Sequence, residues 1–189
     1  MVTADLQSVN GDRHLRPKHH ADPVTPKQGA ATRASMRREF DTSLGGAPRV
    51  ELLGGGVAVL ELAPMLFPLE WAAEPLGAAL TLASRAQALI LDLRANRGGA
   101  PDTVAFVCGY LLDERTHLNT MYWRGGERGD PCDGWTVHPH LEVTVPVGRA
   151  VNPVSGTNWE GTGVQPDIPC AAADSLDHAH TLALARLAG

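Results

Sequence analysis

The clearest patterning of apolar and polar positions lies between residues 50 and 112. Val50 to Leu53 and Val57 to Leu62 are short β-type runs separated by Gly54-Gly55-Gly56, which predicts a hairpin. Pro75 suits the first turn of a helix, and Leu76, Leu80 and Ala83 recur at helical spacing, so a helix running to about Ala86 is expected to cover a sheet. Ala88-Leu89-Ile90-Leu91-Asp92-Leu93 follows as an unbroken apolar run of strand length, the pattern of a buried parallel strand. Beyond Gly98-Gly99, Pro101 stands at a favoured first helical position, and Val104, Val107, Cys108, Leu111 and Leu112 supply the apolar face of a second helix. The order strand, helix, strand, helix predicts an α/β fold.

The flanks are less regular. Thr3 to Leu6 reads as the tail of a helix and Asn10-Gly11-Asp12 as a turn. From Pro17 to Pro48, prolines and glycines surround a helix-capable piece, Thr32 to Phe40, whose Arg33, Arg37 and Arg38 are read as a solvated face. His117 to Arg124 is β-like, Gly125 to Gly134 a loop, and Leu141 to Pro146 a strand. Leu176 to Leu187 is expected to be a final helix capped by Asp174-Ser175.

Composition narrows the function classes. A length of 189 residues fits one domain, with 1–49 as opening segment and linker, 50–135 as the first part of a core and 140–189 as the last part. A net charge of −5 argues against nucleic acid as the main partner. No run approaches the ~18 apolar residues of a membrane span, and Met1-Val2-Thr3-Ala4-Asp5 lacks the basic-then-apolar order of a signal peptide, so a soluble, cytoplasmic chain is expected. Cys108, Cys132 and Cys170 form no Cys-x-x-Cys pair; neither a disulfide framework nor a zinc site is indicated, and no cofactor is implied.

The candidate chemistry sits where the apolar strand ends. Gly98 and Gly99 allow close backbone approach, and their N–H groups, at a helix N-terminus, can hold a developing negative charge. The same spacing also suits an ordinary strand-to-helix turn. Asp92-Leu93-Arg94-Ala95-Asn96-Arg97-Gly98-Gly99 resembles the signature of the tail-specific (C-terminal processing) serine peptidases, which include the tricorn core protease and the repeats of interphotoreceptor retinoid-binding protein. Arg97 stands where relatives often carry another Gly, and Ala100 follows the pair. The resemblance implies a ClpP/crotonase-like core, peptide or protein substrates, and an oxyanion hole that uses the N–H of Gly98 or Gly99. Gly11-Asp12-Arg13-His14-Leu15 is similar to the Asp-x-His segment bearing the general base in the tricorn-like branch, which makes His14 the implied base. One branch of the family uses a lysine after the nucleophile instead, but Lys18 and Lys27 are the only lysines here. Glu160-Gly161-Thr162-Gly163-Val164-Gln165-Pro166-Asp167 resembles the family's C-terminal motif and makes Glu160 the implied orienting carboxylate.

Between Trp135 and His140 the family pattern breaks. Relatives carry a strand, a loop with the nucleophilic Ser, a helix and another strand there; here Trp135 to His140 runs straight into Leu141 to Pro146. The missing unit would be on the order of fifty residues. None of Ser8, Ser35, Ser43, Ser84, Ser155 and Ser175 follows an apolar strand and opens a helix, the context that presents an activated hydroxyl. The expectation is therefore a truncated ClpP/crotonase-like fold and a catalytically defective peptidase. The alternative is a non-catalytic binding domain for a hydrophobic ligand or peptide tail; a third possibility is a deletion product without function. The sequence does not set the oligomeric state.

Overall fold

The computed structural model describes residues 2–9, 11–24, 27–124, 132–158 and 163–189. In chain order the elements are α1 (Val2–Gln7), β1 (Arg16–His19), α2 (Lys27–Thr42), β2 (Arg49–Leu53), β3 (Val57–Glu61), α3 (Leu69–Ala83) and β4 (Ala88–Asp92). They continue with α4 (Pro101–Leu111), β5 (Thr120–Trp123), β6 (Cys132–His138), β7 (Leu141–Pro146), β8 (Gly148–Val151) and α5 (Ser175–Ala188). The architecture is mixed α/β with small sheets, and the chain divides into two compact units: Met1–Ala30 with Thr116–Asp167, and Ala31–Arg115 with Ile168–Gly189.

The second unit contains the expected strand-helix-strand arrangement. β2 and β3 form the antiparallel hairpin, turning through Gly55 and Gly56 with φ of 73° and 74°. Through α3, β3 leads to β4, which pairs with it in parallel from Val57 opposite Ala88 to Glu61 opposite Asp92. Among the described residues of this unit, β3 alone has a strand on each side, and Val57, Val59 and Leu60 are fully buried. The core joins Leu60 and Leu62 to Phe67, Leu76, Leu80 and Val107, with Phe40 of α2 set edge-on to Phe67.

Three details differ from the sequence pattern. Helix α3 begins at Leu69, not Pro75, because Ala72 already lies on the buried stripe with Leu76, Ala79, Leu80 and Ala83. Pro75 is thus inside the helix, where it withholds one backbone donor. Its ring lies against Gly45, where a Cβ would come within 2.4 Å of Pro75 Cγ. Second, β4 is an edge strand: among the described residues it pairs with β3 alone, and Ala88 to Leu91 are half-buried. An apolar run earns full burial only with a neighbour on both edges and cover on both faces. Third, α5 starts at Ser175, but the Asp174 side chain makes no capping bond, and Ser175 Oγ donates back to Ala172 O.

In the first unit β7 lies between β1 and β6, antiparallel to both, and β5 pairs antiparallel with β8. β7 matches the expected strand at 141–146. β6 extends through residues expected to be loop, and its Trp135 and Val137 are exposed, so the pairing with β7 rather than an apolar face defines it.

At the start of α4, Pro101 occupies the first helical position, and Thr103 is fully buried with Oγ1 donating to Phe67 O at 2.7 Å. Thr103→Val keeps the shape but leaves the buried Phe67 carbonyl without its partner. It is expected to destabilise the fold by about 1–3 kcal/mol, read as a lower denaturant midpoint at unchanged slope, with Thr103→Ser restoring most of the loss.

Candidate functional site

Past Asp92 the chain builds a loop closed by its own side chains. Asp92 is 7% exposed, and its Oδ1 accepts from the Arg94 backbone N–H at 3.1 Å and from Arg94 Nε at 2.9 Å, while Oδ2 accepts from Nη2 at 2.7 Å. These side-chain bonds from Arg94 lower the Asp92 pKa; burial opposes them, and the Arg94 N–H adds to the lowering. Asn96 bridges the loop to the end of β3: its Nδ2 donates to Leu62 O at 2.9 Å and its Oδ1 accepts from Gly98 N–H at 2.8 Å. Arg97 donates its backbone N–H to Pro64 O at 2.8 Å and pairs its side chain with Glu39 of α2.

This closure distinguishes the two glycines. Gly98 has φ of 110° with open space at its Cβ position, but its N–H is committed to Asn96. Gly99 has φ of 147°, and a Cβ there would meet the Leu66 carbonyl oxygen at 2.1 Å. The bridge to Leu66 uses the Gly98 carbonyl (2.9 Å) and the Ala100 N–H (2.8 Å), so the Gly99 N–H is directed away from Leu66. Gly99 is exposed, and its N–H has no hydrogen-bond partner among the described residues. It lies two residues before Pro101, at the positive end of α4.

His14 belongs to the other unit. Asp12 Oδ1 accepts the His14 backbone N–H at 2.8 Å and lies 3.2 Å from His14 Nδ1. A carboxylate only accepts, so the proton of that contact sits on Nδ1, and Asp12 fixes the orientation of the ring. Asp12 also borders a groove of about 370 Å³ walled by Tyr122, Trp123, Val147, Arg124 and Arg149. Glu160 lies outside the described residues. Thus the two glycines share one loop, His14 is paired with Asp12, and each group is placed within its own unit.

Five of the six serine hydroxyls point to local partners, and Ser35 is exposed on α2. Ser8, Ser43, Ser84 and Ser175 donate to backbone carbonyls three residues back in the chain, and Ser155 Oγ lies 3.0 Å from Thr157 Oγ1. Thr120 Oγ1 is 3.0 Å from His117 Nε2, but that nitrogen also faces Asn119 O at 3.2 Å, a contact that calls for a proton on Nε2. Among the described residues no three His, Cys, Asp or Glu side chains are grouped to hold a metal ion, and no helix is long and apolar enough to cross a membrane. No protein-family model matches the chain. The role of Asn96 went unread in the sequence, although Asn two residues before Gly is the signal of a side-chain-closed turn.

Gly99→Ala drives a Cβ into backbone and is expected to cost at least about 3 kcal/mol, whereas Gly98→Ala, with only backbone strain to bear, should cost about 1–2 kcal/mol. Denaturant unfolding of the two variants measures the contrast. Asp92 gives a pH signature. Its folded pKa lies below its unfolded value, so its stabilising contribution is complete above the ordinary carboxylate range and is lost as pH falls through the depressed folded value. Asp92→Asn should lower the unfolding midpoint at neutral pH and shrink the difference between neutral and strongly acid conditions.

Proposed function

We propose that the chain is a degenerate tail-specific serine peptidase with a truncated ClpP/crotonase-like core, which keeps the oxyanion-binding loop and the base but lacks the nucleophile. The observation that carries this reading is the Gly99 N–H: exposed, without a partner among the described residues, and held beside the start of α4 by a loop that Asn96 and Arg94 close. It lies past the carboxyl end of a parallel strand, where open α/β sheets place their sites.

In the intact reaction of such a site a serine hydroxyl attacks a peptide carbonyl, a histidine takes its proton, and backbone N–H groups hold the oxyanion. By the resemblance, Gly99 takes the donor role, His14, whose ring Asp12 holds, the base role, and Glu160 the orienting role. The Gly98 N–H contributes by fixing the loop through Asn96. The hydroxyl is what is lacking, since five serines are tied into their own turns and Ser35 sits in the middle of α2 rather than at a strand-to-helix turn. The outer edge of β4, which has no partner strand among the described residues, supports the loss of a neighbouring strand.

A non-catalytic binding domain is the second reading, favoured by the groove beside Asp12, where Tyr122, Trp123 and Val147 offer apolar walls and Arg124 and Arg149 offer charge for a peptide's terminal carboxylate. A fluorophosphonate probe incubated with the full chain separates defective from active peptidase. No stoichiometric labelling and no hydrolysis of a peptide panel are expected; stoichiometric adduct formation on any serine, located by mass spectrometry, overturns the proposal.

A further inference from the structure

The outer edge of β4 is the least explained feature of the second unit. The Asp92 carbonyl accepts from Leu62 N–H at 3.0 Å. The alternation of a parallel ladder then turns Ile90 toward β3 and leaves the N–H and C=O groups of Leu89 and Leu91 on the opposite edge. Both residues are half-buried, and these backbone groups have no partner among the described residues. Orphaned backbone groups in a partly buried strand are costly, and a long apolar edge without Lys or Pro is a template for pairing.

The surroundings restrict what can pair there. Leu89 packs toward the core on the face of β4 covered by α3 and α4, and a groove of about 270 Å³ lies beside it, walled by Leu80, Ala83, Tyr110 and Leu111. A second groove, of about 440 Å³, is lined by Ala88 and Ile90 together with Leu182, Ala183 and Leu187 of α5. Tyr110, Leu111 and Leu187 are each at least two-fifths exposed. A strand seated between the two grooves must be apolar on both faces and carry no charge in its middle. β3, Val-Ala-Val-Leu-Glu, and β4, Ala-Leu-Ile-Leu-Asp, meet that requirement, but β3 is paired on both sides, which leaves β4 as the strand with an edge to offer.

We infer that the β4 edge is the self-association surface of this chain, pairing antiparallel with β4 of a second copy about a two-fold axis at Ile90. In that register Leu89 of each copy faces Leu91 of the other, so their outward N–H and C=O groups satisfy one another reciprocally. Asp92, the one charged residue of the strand, falls opposite Ala88, and no like charges meet across the pair. The two three-stranded sheets become one of six strands, and both copies of the edge are consumed, which closes the assembly at a dimer.

Analytical ultracentrifugation of the full chain across a concentration series tests this. A reversible monomer–dimer equilibrium is expected. Ala88→Glu, which places a carboxylate opposite Asp92 of the partner at both ends of the pair, should weaken dimerisation at least tenfold. Ala88→Arg should strengthen it in a salt-sensitive way. Amide exchange on the unaltered chain covers the case in which a variant fails to fold: Leu89 and Leu91 should gain protection with rising protein concentration, while amides of β3 stay constant. A monomer at all concentrations, open-ended polymers, or a dimer indifferent to the charge at position 88 with no concentration-dependent protection at Leu89 and Leu91 would each overturn the inference.

Discussion

The second unit depends on one close approach, that of the loop after β4 to the segment leaving β3. Leu66 receives a bond on each side of Gly99, and only a residue without Cβ lets the backbones come so near. Asn96 ties the same loop to Leu62, Arg97 ties it to Pro64, and Arg94 closes it on the buried carboxylate of Asp92. Taken together these bonds extend the parallel pairing of β3 and β4 past the strands proper and fix where α4 can begin. From there Thr103 reaches the carbonyl of Phe67 and locks α4 to the turn that enters α3. The helix starts, the core beneath them and the direction of the Gly99 N–H all follow from that closure.

Much of this was legible because the second unit obeys local rules. The short β-type runs on either side of the glycine triplet became a hairpin, and the apolar run at 88 became a strand parallel to β3. Pro101 opened α4 as its fixed φ favours. What was not legible depends on neighbours. Pro75 looks like a helix start to a scale that counts residues, yet the buried stripe through Ala72 and the room left by Gly45 outweigh one missing donor. Similarly, the residues of β4 cannot report whether a strand lies beyond them.

At the candidate site the sequence located the glycines but not their division of labour. Which N–H is committed depends on Asn96, whose side chain spans the loop in both directions, and on a bridge to Leu66 more than thirty residues away. The Asp12–His14 contact, in contrast, is local; an aspartate two residues before a histidine captures its backbone N–H and its ring together. Glu160 entered through the likeness of its Gly-rich surroundings to a family motif, which has no local geometry to test within the described residues.

The geometry of the loop does not by itself require catalysis. A donor aimed at a developing oxyanion stabilises a transition state by ~2.7–4 kcal/mol, but against a neutral carbonyl in a ground state it contributes only ~0.5–1.5 kcal/mol. The larger figure needs a nucleophile to generate the charge, and the serine hydroxyls with described partners are held in their own turns. Every polar residue of Asp92-Leu93-Arg94-Ala95-Asn96-Arg97-Gly98-Gly99 nevertheless has a structural role: the aspartate and arginine close the turn, the asparagine spans it, and Arg97 anchors it to α2. Gly99 is demanded by Leu66 whether or not a substrate ever meets its N–H. A motif kept for folding can therefore present an anion donor whether or not the chain places a nucleophile opposite it, because the bonds that aim the Gly99 N–H are the same bonds that join the loop to Leu62, Pro64 and Leu66.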